Sequence, residues 1–198
     1  SETASTIASF DASKNIKSLA LATYPSLTEL SYVKGVTSAI QTQLAARAIV
    51  LNKTVTDVSV NATPETKVYS YTVPANTLAS GDILDLIARF RKTGTAGTMI
   101  TRIRFGTNNS TADTIMATMT SAAATLTQNM ERTFLIKDAT HIEVYTPTSN
   151  VNTDVTSSGN AVTSVTVDLT VTNYFVITIQ DASAVDTGIF SGWYLRKN

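Results

Sequence analysis

The feature that most constrains this fold is a series of short segments, after Lys67, in which apolar and polar residues alternate. A period of two is typical of a β-strand with one face on a core and the other on water or in an interface. The candidate strands are VYSYTV from Val68, ILDLIARFR from Ile83, TMITRIRF from Thr98, TIMATM from Thr114, ERTFLIK from Glu131, HIEVYT from His141, SVTVDLTV from Ser164, YFVITI from Tyr174 and IFSGWYLRK from Ile189. Eight or nine such strands, separated by turn-forming residues, predict an antiparallel, jelly-roll-like β-sandwich over residues 68–198.

Composition excludes several classes of function. The 198 residues contain 15 basic and 15 acidic side chains, and no basic run, so neither nucleic acid nor an anionic membrane is an expected partner. There is no cysteine, which removes disulfides, thiolate chemistry and cysteine-bound zinc. The start, SETASTIASF, lacks the basic end and apolar core of a secretory signal, and no run is long enough to cross a bilayer. We therefore expect a soluble protein without membrane insertion.

A different pattern occupies residues 26–51, SLTELSYVKGVTSAIQTQLAARAIVL. Spacings of three and four, as in the a/d seam of a coiled coil, connect Leu30, Val33, Thr37, Ile40, Leu44, Arg47 and Leu51. Ser26 and Glu29 fit a capping box that begins the helix. Val33 and Ile40 at d positions favour three or more strands over two. The sequence thus predicts a helical stem that joins identical chains.

This stem hypothesis has an alternative. The seam spans only about three heptads, the shortest length that the pattern supports. A single amphipathic helix packed on its own domain is the rival interpretation. Gly35 falls at an outward f position, where we expect it to cost about 1 kcal/mol of helix propensity without interrupting the seam.

The domain organisation follows from these patterns. Residues 1–25 are predicted to be a flexible arm and a small β element, with a turn at Ser13–Asn15 between pieces that hold Phe10 and Ile16. Residues 26–51 are the stem. Residues 52–67 are interpreted as a linker with strand character that ends near Pro64, and residues 68–198 as the β head.

The sequence also predicts two hairpins. One joins the runs from Ser164 and Tyr174, and the other joins the runs from Ile83 and Thr98 through a four-residue loop, Gly94–Gly97. In the second hairpin one face is predicted to be core, and it carries Leu86, Ala88, Phe90, Thr101, Ile103 and Phe105.

The opposite face of that hairpin would place Arg89 opposite Arg102, with Arg91 and Arg104 nearby. Like charges across a ladder are destabilising unless something anionic lies between them. The structural interpretation is a set of ion pairs with Asp85, Glu131, Glu143 or a carboxylate of a neighbouring subunit. The functional interpretation is an anion site for carboxylate or phosphate groups, such as those of acidic surface glycans.

No catalytic or metal-binding motif is present in the sequence. His141 is the only histidine, so it is interpreted as a hydrogen-bonded surface or interface residue, and no metal site is predicted. There is no Gly-x-Ser-x-Gly elbow and no glycine-rich phosphate loop, so neither an enzyme nor a cofactor is expected. Asp82, Asp85, Glu131 and Glu143 could form a glycosidase pair by residue type alone. Trp193 is predicted to be core.

The residues FDASKNIKSLALATYPSLTELSYVKGVTSAIQTQL, from Phe10 to Leu44, resemble a segment of the fibre proteins of tailed bacteriophages. In those proteins a small β element leads into a short helix and then a distal domain, and SLTELSYVKGVTSAIQTQ is the most specific part of the likeness. The region from Val68 onward is similar to the β-sandwich heads of such fibres in general character only. The resemblance implies a homotrimer in the virion, as a tail or head fibre, with the N-terminal part facing the particle and other virion proteins.

Three functions follow as hypotheses. The first is a trimeric phage fibre whose head binds a glycan or protein of the host surface. The second is a capsid or neck decoration or adaptor protein without receptor binding. The third is a glycan-degrading spike enzyme.

Overall fold

The computed structural model describes residues 8–18, 25–35, 49–145, 148–149 and 162–198. The chain divides into two compact units, residues 1–47 and 48–198. Strands account for 57% of the described residues and helix for 3%. The predicted mainly β class with antiparallel sheets is therefore confirmed. None of the helices in the described ranges is long and apolar enough to cross a membrane.

The smaller unit contains a short β-hairpin. Strands β1 (Ala8–Phe10) and β2 (Ile16–Ser18) pair antiparallel, with Phe10 opposite Ile16. Asp11 closes the turn, because its Oδ1 accepts hydrogen bonds from the N–H groups of Ser13 and Asn15 at 2.8 and 2.9 Å. The predicted turn is confirmed. Phe10 and Ile16 remain 72% and 63% exposed, so the hairpin leaves an apolar pair uncovered within the described part of the chain.

The helix that follows is much shorter than predicted. Helix α1 spans Leu27–Ser31, and the Ser26–Glu29 capping box is confirmed: Glu29 N–H donates to Ser26 Oγ at 3.2 Å, and Ser26 N–H donates to Glu29 Oε2 at 2.7 Å. Residues 32–35 form a turn that ends at Gly35 with φ +91°. Glycine adopts this left-handed conformation readily. Gly35 therefore lies in the turn that follows α1, and not on the outer face of a helix as expected.

The prediction of one continuous helix over residues 26–51 is therefore wrong. Of the predicted seam residues, Leu30 lies in α1, Val33 lies in the turn, and Leu51 lies in a strand that begins at Ile49. The run Ile49–Leu51 pairs with a distant strand, and this tertiary pairing overrides helical spacing. Thr37, Ile40, Leu44 and Arg47 lie outside the described residues.

Two sheets make up the larger unit. Its strands are β3 (Ile49–Thr54), β4 (Val58–Val60), β5 (Thr66–Val73), β6 (Ile83–Thr93), β7 (Met99–Gly106), β8 (Thr114–Thr120), β9 (Thr127–Asp138), β10 (His141–Val144), β11 (Thr148–Ser149), β12 (Thr163–Thr166), β13 (Asn173–Asp181) and β14 (Thr187–Lys197). The order in the larger sheet is β12-β10-β9-β6-β14-β3, with β4 also paired to β14, and the order in the smaller sheet is β11-β8-β7-β13-β5. Every pair is antiparallel except β11 with β8.

The residues interpreted as a linker belong to this unit. Strand β4 and the second half of β3 fall within residues 52–67, and both strands pair with β14. Leu51, Val58 and Val60 pack against the core of the unit. Residues 52–67 are therefore part of the β domain. Their short apolar face did not indicate that they pair with a strand more than 120 residues later in the chain, β14 at Thr187–Lys197.

Both predicted hairpins are wrong. Strand β6 pairs with β14 and β9, whereas β7 pairs with β13 and β8, so the loop at Gly94–Gly97 connects two sheets. The run from Ser164 ends as β12 on β10, and β13 pairs with β5 and β7. Alternation fixes which face of a strand is buried, but it does not identify the neighbouring strand.

One hydrophobic core joins the two sheets. The Phe175 ring on β13 lies 6.0 Å from Trp193 on β14 and 6.2 Å from Phe134 on β9, and Tyr69 on β5 stacks on Phe190 at 5.4 Å. The residues predicted to be core on β6 and β7 are confirmed, since Leu86, Ala88, Phe90, Thr101, Ile103 and Phe105 are all buried. Trp193 is also confirmed as core, at 3% exposure.

A β-bulge in β14 places two aromatic rings in this core. Phe190 and Trp193 are three residues apart, yet both are buried, because the register with β6 shifts between Phe190 and Gly192. Gly192 has φ +139°, and a Cβ there would lie 2.5 Å from the Thr54 carbonyl oxygen. The bulge therefore requires glycine, and it places Ser191 beside Arg89 in the walls of two cavities.

Candidate functional site

The structure separates the four arginines that the predicted hairpin brought together. Arg89 and Arg91 lie on β6 in the larger sheet, and Arg102 and Arg104 lie on β7 in the smaller sheet. Arg89 is opposite Gly192 on one side and Asn129 on the other, not opposite Arg102. A single four-arginine face therefore does not form.

The β7 arginines are neutralised within the chain. Arg104 Nε and Nη2 donate to the two carboxylate oxygens of Glu65, both at 2.7 Å, and Arg102 Nη1 lies 3.0 Å from Glu65 Oε2. Thr178 Oγ1 donates to Glu65 at 2.5 Å, and Arg104 Nη1 donates to the Asp113 carbonyl at 2.7 Å. Burial alone would raise the pKa of Glu65, but these hydrogen bonds and charges hold it below its ordinary value.

For Arg102 and Arg104 the structural interpretation is therefore the better one. Their carboxylate partner is none of the three that the sequence suggested. Glu65 follows Pro64 and directly precedes β5, in a segment interpreted as a linker, so only the pairing of β5 with β13 brings it beside β7.

Arg91 is also paired. Its Nη2 forms an ion pair with Asp57 Oδ2, and both side chains are about half exposed. Asp57 lies between β3 and β4, so this contact fixes the connection between two edge strands of the larger sheet. Exposed pairs of this kind contribute little to stability, roughly 0–1 kcal/mol.

Arg89 differs from the other three. It is exposed, and it makes no ion pair or side-chain hydrogen bond to any described residue. Two adjoining cavities of about 480 and 280 Å³ meet at its side chain, and Ser191 lines both. We call these two cavities the Arg89 cleft. Lys53 and Tyr194 line the smaller cavity, while Arg91 and Asn129 line the larger one.

Two polar atoms at the walls of the cleft have unused hydrogen-bonding capacity. Ser191 Oγ and Asn129 Oδ1 are both buried without a hydrogen-bond partner in the described chain. The Asn129 amide is oriented by its other end, since Nδ2 donates to Glu131 Oε1 at 2.7 Å. Buried polar atoms are usually satisfied in native proteins, so these two oxygens beside an unpaired arginine make the cleft the candidate binding site of the larger unit.

The remaining sequence candidates lie elsewhere and have partners. His141 lies at the surface with Nδ1 3.0 Å from Asp138 Oδ1, which agrees with the interpretation of a hydrogen-bonded surface histidine. Hydrogen bonds from Thr140, and then from His141, lower the pKa of Asp138 to about 2. Within the described ranges no group of three or more potential metal-ligating side chains occurs.

Each candidate glycosidase carboxylate is engaged by a polar or cationic group. Asp82 pairs with Lys197 at 3.1 Å, Asp85 with Arg196 at 2.8 Å and Glu143 with Lys137 at 3.3 Å, while Glu131 accepts the bond from Asn129. Each of these four carboxylates thus has a structural partner in a neighbouring side chain.

A buried ion pair that the sequence reading missed lies at the far end of β6. Lys92 is buried, and its Nζ donates to the carbonyls of Gly97 and Ala123, the latter at 2.7 Å, and lies 3.3 Å from Asp186 Oδ2. Asp186 in turn accepts from the N–H groups of Gly97 and Ala96 at 2.8 and 3.2 Å. One lysine thereby connects three loops.

Two aspartates next to Lys92 have opposite pKa shifts. Burial alone would raise the pKa of Asp186, but the N–H donors of Gly97 and Ala96 and the Lys92 ammonium hold it below its ordinary value. Burial raises the pKa of Asp181, against the hydrogen bond from Gly188 N–H and the charge of Lys92. Of the two carboxylates, Asp186 is therefore the one whose charged form is stabilised by the lysine and by backbone donors.

No family model matches the chain, and no curated protein matches its sequence. The likeness of residues 10–44 to phage fibre proteins therefore stays a prediction.

Proposed function

We propose that this protein is a virion structural protein, a homotrimeric fibre of a tailed bacteriophage whose β head binds the host cell surface. The observation that carries the proposal is the division of the chain into a small N-terminal unit and a larger β unit with its own core. This is the organisation of a binding module joined to an attachment element. The fibre-like segment, residues 10–44, falls wholly within the first unit, and the Arg89 cleft lies in the second.

We also propose that the head is a jelly-roll sandwich. Counting β3 and β4 as one strand and β10–β12 as an insertion leaves eight strands. In chain order these eight take the arrangement 1-8-3-6 in the larger sheet and 2-7-4-5 in the smaller. Two interleaved four-stranded sheets of this kind define a jelly roll. Such a head offers an outer sheet face for binding while its core stays closed.

In this proposal the N-terminal unit holds the chains together and contacts other virion proteins. Phe10 and Ile16 form an exposed apolar pair on the hairpin, and Leu30, Tyr32 and Val33 are exposed on and after α1. Clustered apolar groups left on the surface are typical of interfaces. Of the predicted oligomerisation residues, Leu30, Val33, Thr37, Ile40 and Leu44 stay in the proposal.

Light scattering of the purified full chain tests the oligomeric state. A trimer has a mass of about 63 kDa, three times 21.1 kDa. Phe10→Ser with Leu30→Ser should shift the mass towards the monomer, whereas Val55→Ser, at a 90% exposed position of the larger unit, should leave it unchanged. A monomeric wild-type chain at all concentrations contradicts the proposal.

Electron microscopy of particles labelled with an antibody against residues 48–198 tests the location. A label at the distal end of a tail or head fibre supports a host-binding head. A label spread over the capsid shell, or restricted to the neck, supports the decoration or adaptor alternative instead.

A further inference from the structure

We propose that the Arg89 cleft binds the carboxylate group of an acidic sugar. The inference rests on the proposed function of the head as a host-surface binding module, and it adds the chemical class of the ligand. The groups that would bind this ligand are Arg89, its charged neighbours, and the polar atoms of Asn129 and Ser191.

The charge of the cleft favours an anion. Three cationic side chains, Lys53, Arg89 and Arg91, line the two cavities, and no aspartate or glutamate does. Arg91 is balanced by Asp57, whereas Arg89 and Lys53 have no carboxylate partner among the described residues. Arg102 and Arg104 on the other sheet are neutralised by Glu65. Of the four arginines on β6 and β7, Arg89 is therefore the one whose charge no described carboxylate neutralises, and that charge is available to a ligand in the cleft.

The neutral groups of the cleft favour a sugar. Asn129 Oδ1 can only accept a hydrogen bond, so a ligand that satisfies it must donate one, as a hydroxyl does. Ser191 Oγ can donate or accept. Both oxygens are buried in the unliganded chain, so each side chain must rotate to reach the cavity, and for Asn129 this rotation breaks the bond from Nδ2 to Glu131. Tyr194 offers an aromatic ring in the smaller cavity. The larger cavity, about 480 Å³, has the size of a small-molecule site.

A carboxylate fits these groups better than a phosphate. One guanidinium fork binds two oxygens of a carboxylate or of a phosphate through parallel hydrogen bonds, so the other groups of the ligand decide between the two. Phosphate is largely deprotonated at neutral pH, so it is a poorer hydrogen-bond donor to the Asn129 oxygen than a sugar with several hydroxyls, and phosphate sites usually add backbone N–H donors. A sugar acid presents one carboxylate beside several hydroxyls, which is the complement of Arg89, Asn129 and Ser191.

Calorimetric titration of the full chain tests the ligand class. The probes are methyl β-D-glucuronide and N-acetylneuraminic acid, with methyl β-D-glucoside and inorganic phosphate as controls. At least one acid should bind about tenfold more tightly than the glucoside and the phosphate, and its binding should weaken as salt is raised. Equal binding of the glucoside, or tighter binding of phosphate, overturns the inference.

Matched variants locate the binding. Arg89→Gln should weaken acid binding about tenfold, while Arg196→Gln, which removes the same charge from an exposed ion pair on the same sheet, should not change it. Ser191→Ala should weaken binding severalfold without lowering the melting temperature, because it removes a buried hydroxyl that has no partner. Unchanged binding by Arg89→Gln overturns the proposal, and so does a Ser191→Ala variant that only loses stability.

These outcomes are separable from those of the fibre proposal. A trimeric chain that binds neither acid overturns the ligand inference and leaves the fibre proposal standing. A monomer that binds an acid sugar through Arg89 keeps the ligand inference and overturns the fibre proposal.

Discussion

Replacing Lys92 by methionine should be among the most damaging single substitutions in the head. The variant keeps the length of the buried side chain but removes the ammonium, so the carbonyls of Gly97 and Ala123 lose their donor and Asp186 loses its cation. Hydrogen bonds to charged groups contribute about 1.5–3 kcal/mol each. Breaking a buried ion pair by removing one partner costs about 3–5 kcal/mol.

We therefore expect Lys92→Met to lower the free energy of unfolding by about 3–5 kcal/mol, out of a typical total of about 5–15 kcal/mol. Urea unfolding at fixed protein concentration, followed by the fluorescence of the buried Trp193, measures this quantity. The core tryptophan reports the larger unit directly.

Lys137→Met is the matched control. Lys137 is exposed and pairs with Glu143 at 3.3 Å, so its replacement should cost no more than about 1 kcal/mol. The double variant Lys92→Met/Asp186→Asn should be less destabilised than the sum of its two single variants, because neither charge is then left alone in the interior. A loss below about 1 kcal/mol for Lys92→Met would refute the reasoning that this lysine connects the loops.

Three further outcomes follow from the fold. Gly192→Ala should lower the free energy of unfolding, measured in urea, by at least about 2 kcal/mol, because of its backbone conformation and the contact of the new Cβ with a facing carbonyl. Gly81→Ala, at φ +91° with no atom within 4 Å of the new Cβ, should cost about 1 kcal/mol. Equal losses for the two variants would contradict the close approach at Gly192. Glu65 has a folded-state pKa below 4.5, so its charge stabilises the fold above about pH 4.5 and this contribution is lost as pH falls through the folded pKa. Melting temperatures of Glu65→Gln should accordingly be lower than wild type at pH 7 and fall less steeply between about pH 5 and 3, and parallel curves would argue against the shift. Asn52→Ala leaves the Trp193 indole N–H and the Tyr69 hydroxyl without their shared acceptor, at a cost of about 1–3 kcal/mol in the free energy of unfolding. If the folded variant had the same tryptophan emission spectrum as the folded wild type, the hydrogen bond between Trp193 and Asn52 would be absent.

Local signals in the sequence predicted local structure well. The Ser26–Glu29 capping box depends on residues three apart, and the structure contains both of its hydrogen bonds. The inward faces of β6 and β7 followed from a period of two, because burial of alternate side chains is a property of a strand whatever its neighbour. The burial of Trp193 followed from its residue type instead, and the bulge before Gly192 takes it out of the period of two that includes Phe190.

Partners distant in the chain were not predictable in this way. The pairing of β6 with β14 rather than β7 depends on how the two sheets close over the core, and no turn signal reports it. The same reason explains Leu51, whose spacing fits a helix but whose strand pairs with β14. Because the predicted hairpin does not form, Arg89 is not opposite Arg102. Of the four arginines, Arg89 is the one without a carboxylate partner among the described residues.

Charged residues in the buried phase of a strand were the missed signal. Lys92 is in phase with the core residues of β6, and Arg132 lies between Met130 and Phe134 in the buried phase of β9. A charged side chain in such a position needs internal partners. The pattern alone could have marked Lys92 as structural, although not as the partner of Asp186.

The position of β14 between β6 and β3 affects how the head folds during synthesis. The Trp193 indole bonds to Asn52 across 141 residues of chain, and β3 and β4 both join the larger sheet through β14. The larger sheet therefore stays incomplete until residues 187–197 have left the ribosome. Until then the edges of β6 and β3 are unpaired and open to association with other chains. Folding dominated by such distant pairings is slow. Insertion of this strand should therefore set the rate at which the head matures, and a chain that stops before Thr187 should aggregate.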